Sequence, residues 1–206
     1  MQGICLVTDR ELCGGRPLEW VVARALEGGV ASVQLREKEL STRAFLEEAL
    51  TLKALLDAAG LPLIINDRVD VALAAGAAGV HLGQADLPCE AARRLLGPRA
   101  ILGLSVECWE DVVRAEDQPV DYLGVSPVFA TPTKTDTREP WGLEGLVRIR
   151  AFSRHPLVAI GGVHPGNAAA LRQAGASGLA VVSALCAVPD PAGAARELVQ
   201  AFRNSQ

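Results

Sequence analysis

Several short polar runs carry the residue types able to do chemistry. The first is Gln34-Leu35-Arg36-Glu37-Lys38-Glu39. Alternation along an extended chain puts Gln34 and Arg36 on one face. Two cations this close, Arg36 and Lys38, suit a polyanion such as a diphosphate, although a solvated charged loop would look the same. The chain has 20 Lys plus Arg, yet its only lysines are Lys38, Lys53 and Lys134. Where arginine supplies nearly every cation, a lysine points to a task that needs a compact point charge. Lys53, inside a helical pattern, reads as an ordinary surface lysine.

Two further runs are Asn66-Asp67-Arg68 and His81-Leu82-Gly83-Gln84-Ala85-Asp86. If they end neighbouring strands, Asp67 and Asp86 converge. Two carboxylates facing a diphosphate are the hard oxygen donors that Mg²⁺ takes together with substrate oxygens and water. Each also reads as a helix N-cap, Asp67 at Arg68 and Asp86 before Pro88. Asn66 can donate and accept at the edge of a heterocycle. His81 has three readings: orienting a carboxylate from behind, acid–base work, or a structural role. Ser105, in Gly103-Leu104-Ser105, either binds phosphate or turns the chain. It lacks the Gly-x-Ser-x-Gly surroundings of a nucleophile elbow. The longest loop, residues 126–142, contains Thr131-Pro132-Thr133-Lys134. Its hydroxyls and lysine suit an anion-binding, mobile lid. Ile160-Gly161-Gly162 and Val182-Ser183-Ala184 follow the last two strand signals, where barrels bind phosphate through backbone N–H groups.

Elements must place these residues. Continuous apolar runs at 3–8, 32–35, 63–66, 79–82, 101–105, 122–125, 157–160 and 178–182 predict strands buried on both faces. Helical spacing fills the intervals at 17–28, 43–59, 69–76, 89–96, 109–115, 143–152, 165–174 and 191–202. Gly28, Gly60, Gly76, Gly97 and Gly175 stand at helix ends. Eight alternating units predict an α/β protein, a (β/α)₈ TIM barrel forming a single domain over residues 1–206. An open doubly wound sheet is the alternative, but such sheets usually have fewer strands. In a barrel, chemistry belongs at the C-terminal strand ends, where every run above falls.

Composition narrows the classes. Half the residues are hydrophobic and 21% charged, which excludes a disordered chain. A net charge of −4 argues against nucleic acid as partner. No apolar run approaches the ~20 residues of a membrane span. Residues 1–8 are too short for a signal h-region and cleavage site, so a cytoplasmic location is expected. Five scattered cysteines without a Cys-x-x-Cys pair read as inert thiols. The expected partners are small molecules, and a homo-oligomer is compatible with the sequence.

Taken in order, these runs resemble the thiamine phosphate synthase family across nearly the whole chain. Leu6-Val7-Thr8-Asp9-Arg10 joins them at the N-terminal end. The family is a (β/α)₈ barrel that joins a pyrimidine diphosphate to a thiazole phosphate. The resemblance implies that Gln34, Arg36, Lys38, Asn66, Ser105 and Lys134 hold the pyrimidine diphosphate. It makes Lys134, Lys38, Arg36 and Ser105 the catalytic set, and Asp67 and Asp86 ligands of Mg²⁺, with His81 behind them. Thr131, Thr133, Gly162, Val182 and Ser183 would hold the thiazole phosphate. Thiazole tautomerases resemble the same barrel but tend to lack the full diphosphate and metal set, which is present here. A non-catalytic phosphate sensor would need only the late glycines. A phosphosugar isomerase would need a carboxylate base pair that these loops do not offer.

Overall fold

An apolar run of four to six residues has no polar face and is too short for a buried helix. Its stable place is a strand covered on both sides. The computed structural model describes residues 2–131 and 139–204. In it eight such strands, all parallel, close into one barrel in sequence order. They are β1 (Gly3–Val7), β2 (Ser32–Leu35), β3 (Leu63–Asn66), β4 (Gly79–Leu82), β5 (Ile101–Val106), β6 (Tyr122–Val125), β7 (Leu157–Ile160) and β8 (Gly178–Val181). Closure is made by β1 on β8, with Gly3 opposite Gly178 and Leu6 opposite Val181.

The helices are α1 (Leu18–Glu27), α2 (Thr42–Ala59), α3 (Val69–Ala75), α4 (Cys89–Leu96), α5 (Trp109–Ala115), α6 (Gly142–Phe152), α7 (Pro165–Gln173), α8 (Ser183–Cys186) and α9 (Pro191–Arg203). Strand limits differ from the expected ones by a single residue at β1, β5 and β8. Thr8, just past β1, still donates its N–H to the Gln34 carbonyl at 2.9 Å, and its hydroxyl accepts the Arg36 N–H at 2.9 Å. A four-residue helix, α8, follows the last strand directly.

Gly60 and Gly76 end their helices in the left-handed region, as their positions suggested. Gly28 does not, with φ −80°. A Cβ there would lie 2.5 Å from the Ala192 carbonyl oxygen, so Gly28 exists for the close approach of α1 to α9.

Two apolar layers result. One lies between strands and helices. The other fills part of the barrel interior with Cys5, Val7, Tyr122, Val158 and Ala180, against Ile101, Ile160 and Val182. The inward residues on the β2–β5 arc are different in kind: Gln34, Asn66 and His81 are buried polar groups, and Ser105 is half-buried above them. Towards the strand ends the interior is therefore polar on the β2–β5 arc, and it is apolar on the other arc. No helix among the described residues is long and apolar enough to cross a membrane.

Candidate active site

A cavity of about 540 Å³ opens where the strands end. Arg36, Lys38, Asp67 and Asp86 come from the β2–β4 side, and Gln34 and Asn66 point in from the strands beneath. Thr131, Gly162, Val182 and Ser183 come from the β6–β8 side, and His81 and Ser105 line the floor between. All the expected site residues within the described segments therefore share one cavity. Thr133 and Lys134 lie outside the described residues.

Neither aspartate caps a helix. Asp67 sits at φ 63°, a left-handed position that Asp and Asn tolerate better than most residues. The cap position of α3 falls on Arg68, whose side chain makes no capping bond and instead reaches Asp70 and Thr42. The Asp67 carboxylate instead accepts from Lys38 Nζ at 2.6 Å. Asp86 accepts the Gly83 N–H at 2.7 Å and closes its own loop, and α4 starts at Cys89 with Pro88 at the cap position. Burial, and then the adjacent Asp67, raise the Asp86 carboxyl, while the Gly83 N–H opposes the shift. Two carboxylates this close favour a cation between them, and an ammonium already touches one. Among the described residues no group of three His, Cys, Asp or Glu gathers to form a protein-only metal cage. A cation here would draw its remaining ligands from water and substrate.

The Arg36 guanidinium lines the cavity and makes no side-chain hydrogen bond or ion pair among the described residues. Ser105 does not turn the chain, because β5 continues to Val106. Its carbonyl accepts from Gln84 Nε2 at 2.7 Å. Its hydroxyl lies 2.8 Å from His81 Nε2, and His81 Nδ1 lies 2.8 Å from the Tyr122 hydroxyl. Tyr122 and Gln84 carry no expected role, yet both line the cavity. Tyr122 was legible from the period-two pattern Tyr122, Gly124, Ser126, which faces inward as a set. Asp111 also reaches the cavity, but its carboxylate accepts the Glu107 and Cys108 N–H groups at 3.0 and 3.2 Å and caps α5.

The late glycines serve more than an approaching anion. Gly161 and Gly162 have φ 101° and 65°, and a Cβ on either would meet Pro127 or Phe129 at 2.8 or 2.7 Å. The chain after β6 lies across them, with the Val128 N–H donating to the Ile160 carbonyl at 2.8 Å. Asn167 Nδ2 holds the Gly162 carbonyl at 2.9 Å, which fixes that peptide's orientation at the cavity.

Glu37, between the two site cations, meets Arg10 and Glu48 rather than lining the cavity. Its side chain is 6% exposed. Burial, and then Glu48, push its carboxyl up to about 7 from an ordinary 4.5, against the pull of Arg10. A raised carboxyl binds its proton more tightly in the folded state, so stability falls as pH rises through that window. The thermal midpoint is expected to be lower at about pH 8 than at about pH 5, and Glu48→Gln to flatten the difference. Scanning fluorimetry of both proteins at both pH values checks this; equal slopes would contradict it.

Comparisons with known proteins give the chain a family. The family profile described as thiamine monophosphate synthase matches residues 4–185. A thiamine-phosphate synthase of Albidiferax ferrireducens is 64% identical over 195 residues, covering 95% of this chain and 89% of that protein. One from Vibrio parahaemolyticus is 51% identical over 182 residues, covering 88% and 89%. Among solved structures, a thiamine phosphate pyrophosphorylase from Pyrococcus furiosus superposes with a TM-score of 0.91 at 38% identity, covering 99% of this chain and 96% of that one. A 3-hexulose-6-phosphate synthase shares the barrel, with a TM-score of 0.67 at 20% identity over 98% and 99% of the two chains.

Proposed function

The chain belongs to the thiamine monophosphate synthase family and is a transferase of thiamine biosynthesis, and from that premise we propose the reaction in detail. It joins 4-amino-2-methyl-5-hydroxymethylpyrimidine diphosphate to thiazole ethyl phosphate, or to its 2-carboxylated form, releasing diphosphate and thiamine phosphate, and CO₂ as well when the thiazole carries the carboxylate. One observation carries the reading: a single cavity has Arg36, Lys38 and the Asp67–Asp86 pair on one side and the Gly161–Gly162 and Val182–Ser183 turns across the barrel. Two anions can bind there with a heterocycle-sized space between them.

The donor set fits Mg²⁺: two hard carboxylates lie side by side, and the Lys38 ammonium, 2.6 Å from Asp67, marks a cation position. Asp67 and Asp86 would hold the ion, which when bound supplies charge neutralisation at the diphosphate. Arg36 offers a planar fork to two diphosphate oxygens. Lys38 can exchange Asp67 for a phosphate oxygen, because an ion pair with the lysine 52% exposed holds it weakly. Gln34 and Asn66 meet the pyrimidine edge and fix its plane. Diphosphate departs from the methylene carbon, and the electron-rich aminopyrimidine stabilises the cation left behind. Thr131, Gly162, Val182 and Ser183, with Thr133, hold the thiazole phosphate so that the ring nitrogen faces that carbon. Lys134 adds a second point charge on the diphosphate. The nitrogen's lone pair forms the new bond, and no protein nucleophile is needed.

Diphosphate release in the presence of both substrates tests the metal-dependent part of this reading. Release is expected to stop with a chelator and to return with excess Mg²⁺. Undiminished release in the chelator would remove the two aspartates from any metal role.

A further inference from the structure

Register places His81 opposite Gly103, and Gly103 opposite Tyr122, at one level of the barrel. The β4 and β6 side chains meet across β5 only because Gly103 has no side chain. A Cβ there would lie 2.2 Å from Tyr122 Cζ and 2.5 Å from His81 Nδ1. Gly124 clears the other edge, since its Cβ would lie 2.8 Å from His81 Cε1. Two interior glycines thus make room for one continuous polar chain, Tyr122 Oη to His81 to Ser105 Oγ, with both links at 2.8 Å. The two rings stack, with centroids 5.4 Å apart and planes inclined by 28°.

A neutral imidazole carries one donor and one acceptor nitrogen, so the chain can run in only two directions. If Ser105 donates to His81, its oxygen offers the cavity lone pairs only. If Tyr122 donates to Nδ1, then Nε2–H donates to Ser105, and the Ser105 O–H is left to donate into the cavity. Burial raises the Tyr122 hydroxyl well above its ordinary pKa, so it keeps the proton that the second direction requires, with Gln34 as its other side-chain partner. A phosphate or diphosphate oxygen accepts and cannot donate, so only the second direction serves an anion bound at Ser105. We propose that Tyr122 and His81 are positioning residues that make the Ser105 hydroxyl a hydrogen-bond donor to an anionic substrate oxygen. The synthase reading enters only in naming that substrate as the pyrimidine diphosphate.

Two measurements test this on the full chain. In ¹⁵N-histidine NMR of the protein, His81 is expected as the Nε2–H tautomer, its signals assigned by their loss in His81→Gln. Tyr122→Phe keeps the ring and is expected to shift His81 away from that tautomer. In kinetics, Tyr122→Phe is expected to lower kcat/KM about tenfold. Combined with Ser105→Ala, it is expected to add nothing to the loss from Ser105→Ala alone, because it acts through that hydroxyl. A wild-type His81 protonated at Nδ1 alone would overturn the proposal, and so would additive losses in the double variant. If the wild type formed no thiamine phosphate, the synthase reading would fall, while the tautomer measurement would still decide the direction of the chain.

Discussion

Asp67→Asn is expected to lower kcat/KM by about 10²-fold or more, with the thermal midpoint moving by no more than about 4 °C. The two halves of this result have separate causes. Asn keeps the shape of Asp and tolerates the left-handed backbone at φ 63°, so the loop after β3 holds its course. The ion pair that is lost has Lys38 52% exposed, and such pairs contribute at most about 1 kcal/mol. Asn removes the charge that, with Asp86, makes a divalent cation welcome next to a diphosphate. The same change is expected to raise the Mg²⁺ concentration for half-maximal rate. Steady-state kinetics across a metal titration, beside a thermal melt, check both halves. Near-wild-type turnover with an unchanged titration would contradict the assignment.

Gly79→Ala is expected to have the opposite profile, losing stability at a position removed from the reacting groups. Gly79 pairs with Ile101 in the β4–β5 ladder. A Cβ on Gly79 would sit 1.9 Å from the Ile101 carbonyl oxygen and 2.6 Å from its carbon. Those are backbone atoms held on both sides by parallel strands, so no side-chain rotation relieves the clash. The strands must part or shift, at a cost of about 3 kcal/mol or more. Urea unfolding is expected to show a lower midpoint, or the protein to be recovered only as aggregate. An unchanged midpoint would mean that β4 and β5 pair differently from the register described above.

The barrel was legible because its signals are local. Runs such as Leu63-Ile64-Ile65-Asn66 are apolar on both faces, and each is followed by a helical stripe and often a glycine, so element order alone led to eight parallel strands. Alternation correctly sent Gln34 and Arg36 inward, and adjacency of the third and fourth strands correctly brought Asp67 to Asp86. What depended on distant contacts was less readable. The cap readings of Asp67 and Asp86 were local guesses that a lysine on β2's loop and a backbone N–H in the Asp86 loop overrode. Gly28 looked like a left-handed stop because spacing cannot reveal α9 pressing on it. Nothing local marks Gly103 and Gly124 as the glycines that clear space for His81 and Tyr122 across one strand. The Glu37–Glu48 contact was equally hidden, since nothing in a charged run says which member turns into the protein. The roles of Thr133 and Lys134 rest on the sequence resemblance, as both lie outside the described residues.

The most direct test of the central claim is the identity of the product. The purified protein would be incubated with the pyrimidine diphosphate, the thiazole phosphate and Mg²⁺, and the mixture separated by chromatography and read by mass spectrometry. The two-anion cavity predicts thiamine phosphate and diphosphate in equal amounts, only when both substrates and the metal are present. A rearranged thiazole phosphate without any coupled product would contradict it and leave the barrel with a tautomerase's chemistry.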